Sequence, residues 1–335
     1  MKQLLFLLFI TCSPAMLLAN TIIDENIITQ IKTGEELLLN ARWDDAFIIY
    51  ESMQKEDSTN PVGFLYLAGA MQSKMIAFEE NIDEKRFIGL LDSTIILCDI
   101  LLEDCSNRDS ALCYLLLGHQ NAYRAVWESR FGSNFSAISY GFKARDNYID
   151  GIKADSTLID LYFGLGSYHY WKTVKAGILT WTGILKNDRK KGIDELNRAI
   201  DFSLFSQNTA RSAMIWVYIN EKEYGPAIVL AKEMFEKYPD GNFFLWPQAE
   251  IYYKQKKYSE AIKMYSSILD RLKTAPGNYF NIIETVYYLY QSYIKSDQKE
   301  NAKKMLLYFD SIKDGFSKQT RRVQRRKISF LRRKN

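Results

Sequence analysis

Little in this sequence of 335 residues favours a β-rich, disulfide-bonded or metal-binding protein. Six Pro and 17 Gly are few for such a length, whereas β-sandwiches and barrels need many turns. Four Cys exclude a disulfide scaffold, and two His leave little for a His-based metal centre. The charged fraction of 25% and the hydrophobic fraction of 47% are those of a folded globular chain. We therefore expect a helical protein that holds neither a metal nor a cofactor.

Sequence motifs of well-known catalytic chemistry are also missing. The sequence contains no GxSxG, GxxxxGK[ST], HExxH or CxxC. His119 and His169 follow small residues in two helical patterns, and we interpret both as polar residues of a helix face. Gly164 and Gly166 lie inside the same helical pattern as His169, where they indicate close packing rather than a phosphate-binding turn. We predict that the protein is not an enzyme.

Residues 1–19 have the three-part layout of a secretory signal peptide. Lys2 precedes an apolar stretch from Leu4 to Cys12, and small residues follow. Cleavage after Ala15 and cleavage after Ala19 both fit this layout. Acylation of Cys12 is a third alternative, although the three residues before it form a poor lipobox. We expect an exported protein of the periplasm or cell envelope.

Three cysteines remain after export, namely Cys98, Cys105 and Cys113. Cys98 and Cys105 lie seven residues apart in a helical pattern, which places them about 10 Å apart and too far for a disulfide. Cys105 and Cys113 flank a predicted turn and can pair. The alternative is that all three are free thiols packed as small apolar groups.

Tyrosine and alanine recur at a constant spacing in the C-terminal half. Tyr224 recurs as Tyr258 and Ala227 recurs as Ala261, at one identical interval of about 34 residues. Ala302 follows Ala261 after a longer interval, as expected for a repeat with a short insertion. This pattern resembles the tetratricopeptide repeat (TPR), a helix–turn–helix unit of about 34 residues with small residues at positions 8 and 20.

The resemblance implies an all-α fold, a right-handed superhelical solenoid of about seven helix–turn–helix units. The match is most specific over residues 208–310, and upstream units fit more loosely, for example through Gly34 and Gly118 at position 8. We expect the TPR-like solenoid over residues 20–315. Residues 316–335 then form a basic C-terminal tail or a capping helix.

In the TPR family, certain positions of the first helix of each unit line a concave groove. Those positions here carry eight aromatic residues, namely Phe163, Tyr170, Trp171, Trp216, Phe243, Trp246, Tyr253 and Tyr287. Exposed aromatic residues are enriched where partners dock, so we predict a groove that binds a protein or peptide segment. The alternative is an envelope protein that binds or processes carbohydrate with the same rings. Residues 172–190 interrupt the repeat and either fold over the groove or provide a separate hydrophobic contact.

Residues 316–335 contain nine Lys or Arg and no acidic residue, whereas residues 1–315 carry 35 basic and 40 acidic residues. Three roles fit this tail, in the order of a structural cap, contact with an anionic membrane surface, and nucleic-acid binding. An exported protein rarely meets nucleic acid, so we predict no such partner. The arginines concerned are Arg321, Arg322, Arg325, Arg326, Arg332 and Arg333.

Overall fold

The structure, a computed structural model, describes residues 21–177, 186–274 and 277–334. The predicted signal peptide lies outside these residues, and so does the middle of the 172–190 segment, including Trp181. The regular elements within the described ranges are all helical. They are α1 (Glu25–Leu39), α2 (Trp43–Glu56), α3 (Pro61–Phe78), α4 (Glu84–Leu102), α5 (Asn107–Phe131), α6 (Asn134–Ala154), α7 (Leu161–Ala176), α8 (Arg189–Phe202), α9 (Gln207–Asn220), α10 (Tyr224–Lys237), α11 (Leu245–Lys254), α12 (Tyr258–Thr274), α13 (Tyr279–Lys295), α14 (Lys299–Ile312), α15 (Lys318–Val323) and α16 (Arg325–Lys334).

The helices α1 to α14 form seven consecutive pairs, in which each helix packs on the next one along the chain. One pair cannot bury its apolar faces alone, so the pairs stack into a solenoid. The fold class predicted from the repeat spacing is therefore confirmed, and the architecture is TPR-like.

One turn geometry recurs in the first, fifth, sixth and seventh pairs. Ala41, Lys222, Lys256 and Asp297 all adopt the left-handed conformation, with φ between 56° and 64°. The following residue donates its backbone N–H to the carbonyl five residues earlier, over 2.8 or 2.9 Å, which closes the preceding helix. These turns have the spacing of the sequence repeat, since Lys222 and Lys256 each lie two residues before the recurring tyrosine of their unit.

Small residues allow the two helices of a pair to approach closely. Gly192 of α8 faces Gly166 of α7, and a Cβ atom at residue 192 would lie 2.7 Å from the Gly166 oxygen and from the Tyr170 nitrogen. Gly34 lies in the same way against the Tyr50 ring. These contacts explain why the sequence places glycine at the equivalent positions, as the TPR pattern predicted.

Each end of the solenoid contacts a helix pair that is distant along the chain, through one seam for each end. In the first seam, α1 meets the fifth pair. The Glu35 carboxylate accepts hydrogen bonds from Thr209 and from Asn208 Nδ2, and Leu39 packs in one apolar cluster with Ile215. Burial raises the pKa of Glu35, although those hydrogen bonds oppose the shift.

The second seam joins the end of α3 to α13 and α15. Asn278 and Asn281 both donate side-chain N–H groups to the Ala77 carbonyl oxygen, the first over 3.0 Å. Ser317 donates its hydroxyl to the Glu80 carboxylate. The two seams thus tie each end of the superhelix to a distant pair.

Both histidines are buried, so the expectation that they lie on polar helix faces is wrong. His119 shares a hydrogen bond of 2.8 Å with the Tyr148 hydroxyl between α5 and α6. His169 Nδ1 lies 2.6 Å from a Glu195 carboxylate oxygen between α7 and α8. Burial lowers the pKa of His119 to about 4, because the charged imidazolium would lose its hydration.

We expect His119 to make folding sensitive to mild acid. In the unfolded chain the His119 imidazole has a pKa near 6.5. Between about pH 6.5 and 4 it is therefore protonated in the unfolded chain but not in the folded protein. The free energy of unfolding should fall over that range, by about 3 kcal/mol at the lower end. Denaturant titrations of the protein and of its His119→Gln variant measure this effect. If the free energy of unfolding depended on pH in the same way in both proteins, His119 would not be the cause.

All three described cysteines are free thiols, so the Cys105–Cys113 pairing is absent. Cys105 Sγ lies 3.1 Å from the Ser110 hydroxyl instead. Cys98 on α4 and Cys113 on α5 are fully buried and belong to one apolar cluster. The alternative of packed free thiols is the one that the structure has.

Candidate functional site

The upstream half of the predicted aromatic groove does not form an open surface. Tyr170 is completely buried among Leu196, Met214 and Val217, so the prediction that it lines a groove is wrong. These residues lie on α8 and α9, so the ring packs against the two helices that follow α7. Its hydroxyl accepts a hydrogen bond from Asn220 and donates one to Glu221, each over 2.7 Å.

The other upstream candidates are divided between two apolar clusters. Phe163 and Trp171 are half-buried beside the cluster that contains Tyr170. Trp216 is half-buried beside a different cluster, which includes Ile215 and Leu39. The aromatic stripe expected across four units is therefore interrupted. The two ends of the 172–190 segment meet where Lys172 Nζ lies 2.6 Å from an Asp188 carboxylate oxygen.

The downstream candidates form a continuous aromatic face on α11, α12 and α13. Neighbouring ring centroids lie 4.9 to 6.2 Å apart. We define this aromatic face as the half-buried residues Trp246, Tyr253, Tyr287 and Tyr288, together with the buried Tyr265 that connects them. Sequence reasoning named three of these five and missed the two central tyrosines, Tyr265 and Tyr288.

Three tyrosine hydroxyls of this face are affected by burial. Burial raises the pKa of Tyr253, Tyr265 and Tyr288, so their hydroxyls stay protonated at neutral pH. The remaining predicted residue, Phe243, is 47% exposed just before α11 and contacts the neighbouring Phe244 ring.

Tyr287 on α13 also borders a cleft whose other lining residues belong to α16. The cleft has a volume of about 420 Å³. The ring centroids of Tyr287 and Phe330 lie 5.3 Å apart at an interplanar angle of 73°, and Lys327 Nζ lies 5.7 Å from the centre of the Tyr287 ring. We call this the inner cleft, lined by Tyr287, Arg325, Arg326, Lys327, Ser329, Phe330 and Arg333. The structure thus joins the predicted groove to the predicted basic tail at one place.

A second cleft of about 320 Å³ lies next to the first one along α16. Arg325, Ser329 and Arg333 border both clefts. We call this the outer cleft, lined by Arg321, Arg325, Ile328, Ser329, Arg332 and Arg333.

The tail helix α16 is held in place by an apolar side and by hydrogen bonds. Ile328 and Leu331, three residues apart, are buried with Phe316 in the cluster of α13 and α14. Gln324 donates its amide N–H to Glu284 over 2.8 Å and to the Phe280 carbonyl oxygen over 3.2 Å. The buried pair fixes the orientation of the helix, so the arginines of the remaining faces lie at the surface.

Four arginines of the tail carry charge that nothing in the described residues neutralises. Lys327 is paired with Glu284 over 2.6 Å, and Arg321 and Arg322 donate hydrogen bonds to backbone carbonyl groups. The other four are exposed and have no ion-pair or hydrogen-bond partner within the described ranges, namely Arg325, Arg326, Arg332 and Arg333.

No metal site accompanies these clefts in the part of the chain that the structure describes, since no three His, Cys, Asp or Glu side chains are grouped closely enough. Nor does any helix within residues 21–177, 186–274 and 277–334 have the length and hydropathy of a membrane-spanning segment.

No protein-family model matches this chain, and neither does any curated protein. Solved structures of similar fold include the TPR protein TTC0263 of Thermus thermophilus, which is 16% identical, covers 67% of this chain and 97% of its own, and has a TM-score of 0.42. NprR in complex with its cognate peptide NprX is 17% identical, covers 92% of this chain and 82% of its own, and has a TM-score of 0.40.

The human IFIT1 dimer with PPP-AAAA is 12% identical, covers 79% of this chain and 67% of its own, and has a TM-score of 0.37. Structural similarity this distant does not indicate which ligand the present protein binds. They give no support to the expectation that nucleic acid is excluded, which stays a prediction.

Proposed function

We propose that this protein is a non-enzymatic scaffold of the cell envelope that binds an extended segment of a partner protein. The aromatic face and the inner cleft form the binding surface. The observation that carries the proposal is the meeting of Tyr287, from the aromatic face, with Phe330 and three arginines at a concave surface of about 420 Å³. Large aromatic side chains beside a concave surface are the usual anchors of protein recognition.

The envelope location rests on the sequence of residues 1–19, with its charged start, apolar middle and small residues near Ala15 and Ala19. Processing of the expressed protein to a shorter chain, measured by mass spectrometry of the intact protein, would support export. Retention of Met1 in the mature protein would contradict it.

The carbohydrate alternative has less support from the geometry. Sugar rings stack on open aromatic faces, but the Tyr287 ring is bordered by Tyr288, Phe330 and Lys327. The Glu284 carboxylate, which accepts a hydrogen bond from the cleft residue Lys327, is also bound by Gln324. A glycan array tests this alternative, and specific binding to a purified glycan would favour it over a protein partner.

A displayed library of random peptides tests the scaffold function. We expect the protein to enrich a family of peptides, and the double variant Tyr253→Ala with Tyr287→Ala to bind them about tenfold more weakly or worse, because two aromatic anchors are lost. The matched control is Phe135→Ala, which removes an aromatic ring that is 84% exposed on α6, far along the chain from the aromatic face. Thermal melting of each variant separates lost binding from lost folding. Failure to enrich any peptide, or equal binding by a folded double variant, would overturn the proposal.

A further inference from the structure

The tail helix α16 lies outside the seven pairs. Its positive charge indicates that a partner should be negatively charged. Resting on the proposed function, we infer that the inner and outer clefts bind the carboxylate side chains of an acidic segment of the partner protein. Arg325 and Arg333, which border both clefts, are the central contacts. Arg326 belongs to the inner cleft and Arg332 to the outer one.

Four unpaired arginines on one short helix repel one another unless an anion lies between them. Opposite charges at exposed positions normally relieve such repulsion, but residues 316–335 contain no Asp or Glu. The Glu284 carboxylate on α13 is engaged by Lys327 and Gln324. A guanidinium group has a planar set of donors that matches a carboxylate with two parallel hydrogen bonds. An incoming acidic segment would satisfy donors that the protein itself leaves free.

The geometry of α16 sets the spacing of the acidic residues. Arg325 and Arg333, which border both clefts, are eight residues apart, and this separation corresponds to about 12 Å along a helix. An extended peptide advances about 3.3 Å per residue, so about four of its residues span that distance. Acidic residues at positions i and i+4 of an extended segment also point to the same side. The expected recognition element is therefore a pair of Asp or Glu residues with three residues between them.

A nucleic acid fits this surface less well, although it also carries negative charge. Single-stranded nucleic acid is held by stacking of its bases on open aromatic faces as well as by its phosphates. Tyr287 and Phe330 pack edge to face on each other, and Lys327 lies over the Tyr287 ring. These rings contribute apolar contact to a peptide side chain but do not provide a stacking platform.

A membrane surface fits less well too, because the half-buried Phe330 is the one large apolar residue of α16 outside the core. Ile328 and Leu331 are buried against α13 and α14, and Leu331 is 0% exposed. Val323 is 45% exposed and stands alone. Amphipathic helices bind bilayers by burying an apolar face, whereas here that face already belongs to the protein core. Only a weak, salt-sensitive attraction to anionic vesicles is expected from the charge itself.

Fluorescence anisotropy with defined peptides tests this inference on the full chain. The main probe is a labelled peptide with two Glu residues at positions i and i+4 in a Ser/Tyr background. A peptide with Gln at both positions and a peptide with adjacent Glu residues serve as comparisons. We expect the spaced Glu peptide to bind about tenfold more tightly than either, and its affinity to fall as the ionic strength rises from about 0.05 to about 0.5 M.

Charge reversal at the shared arginines provides the matching protein variants. Arg325→Glu with Arg333→Glu should weaken binding of the spaced Glu peptide about tenfold or more, because it replaces both central contacts by repulsion. The control, Lys303→Glu with Lys304→Glu, makes the same change in net charge on the exposed side of α14 and should change affinity less than about threefold. An equal loss of affinity for the spaced Glu peptide in the two double variants would overturn the inference, since it would mean that binding depends on net charge alone.

Two further measurements complete the test. Tighter binding of a single-stranded RNA oligonucleotide, or of vesicles rich in an anionic phospholipid, than of the spaced Glu peptide at the same ionic strength would overturn the inference. If library peptides bind through Tyr253 and Tyr287 but are neutral and insensitive to the arginine variants, the inference fails while the scaffold function stands. If no peptide binds at all, the scaffold function itself fails.

Discussion

Replacing Gly192 by alanine should destabilise the fourth helix pair by about 3 kcal/mol. The added methyl group would lie 2.7 Å from two backbone atoms, the oxygen of Gly166 and the nitrogen of Tyr170. Backbone atoms cannot rotate away as a flexible side chain can, so α7 and α8 must separate. That separation would loosen the packing of the Tyr170 ring and expose its hydrogen bonds to Asn220 and Glu221. Urea titration followed by circular dichroism measures the loss.

The matched control is the same substitution at Gly141, in the middle of α6, where no atom lies within 4 Å of the added Cβ. Alanine has the higher helix propensity, so Gly141→Ala should stabilise the protein by about 0.5 to 1 kcal/mol. We therefore expect Gly192→Ala to lower the free energy of unfolding and Gly141→Ala to raise it. A Gly192→Ala protein as stable as the parent would show that the two helices can move apart at little cost.

Deleting residues 316–335 should lower the melting temperature by about 10 °C. The deletion removes the buried side chains of Phe316, Ile328 and Leu331, whose burial contributes about 5 kcal/mol in total. It also uncovers Leu306 and Phe309 on α14. Calorimetry at several protein concentrations measures the change and shows whether the uncovered surface causes association.

A variant with Arg325→Glu and Arg333→Glu separates packing from charge in this tail. Both side chains are exposed and unpaired within the described residues, so the variant should melt within about 2 °C of the parent protein. Deletion and charge reversal that lower the melting temperature equally would mean that the arginines stabilise the fold. Such a result would remove the reason to regard them as free for a partner.

The repeat and its turns were predictable from sequence because they depend on local rules. Tyr224 and Tyr258 mark the period of the repeat, and the left-handed turns at Lys222 and Lys256 have that same period in the structure. Small residues such as Gly34 and Gly166 could also be interpreted correctly, because close helix packing has few other solutions.

Burial and long-range contacts could not be predicted in the same way. Tyr170 occupies a position that faces the groove in an ideal repeat, yet the close approach at Gly192 places its ring inside the core. His119 looked polar on a helix wheel, but its hydrogen bond with Tyr148 depends on the neighbouring helix. The meeting of Tyr287 with the tail arginines depends on how α16 folds back, which no local pattern encodes.

The two seams change how this solenoid is expected to lose its structure. In an open array of repeats, each unit contacts only its neighbours, so the two terminal units fray first. Here the first helix is tied to the fifth pair through Glu35, and the second pair is tied to the last one through the Ala77 carbonyl group. Each end is therefore held by a distant pair as well as by its neighbour along the chain. Amides of α1 should exchange with solvent together with those of α9, and amides of α13 together with those of α3.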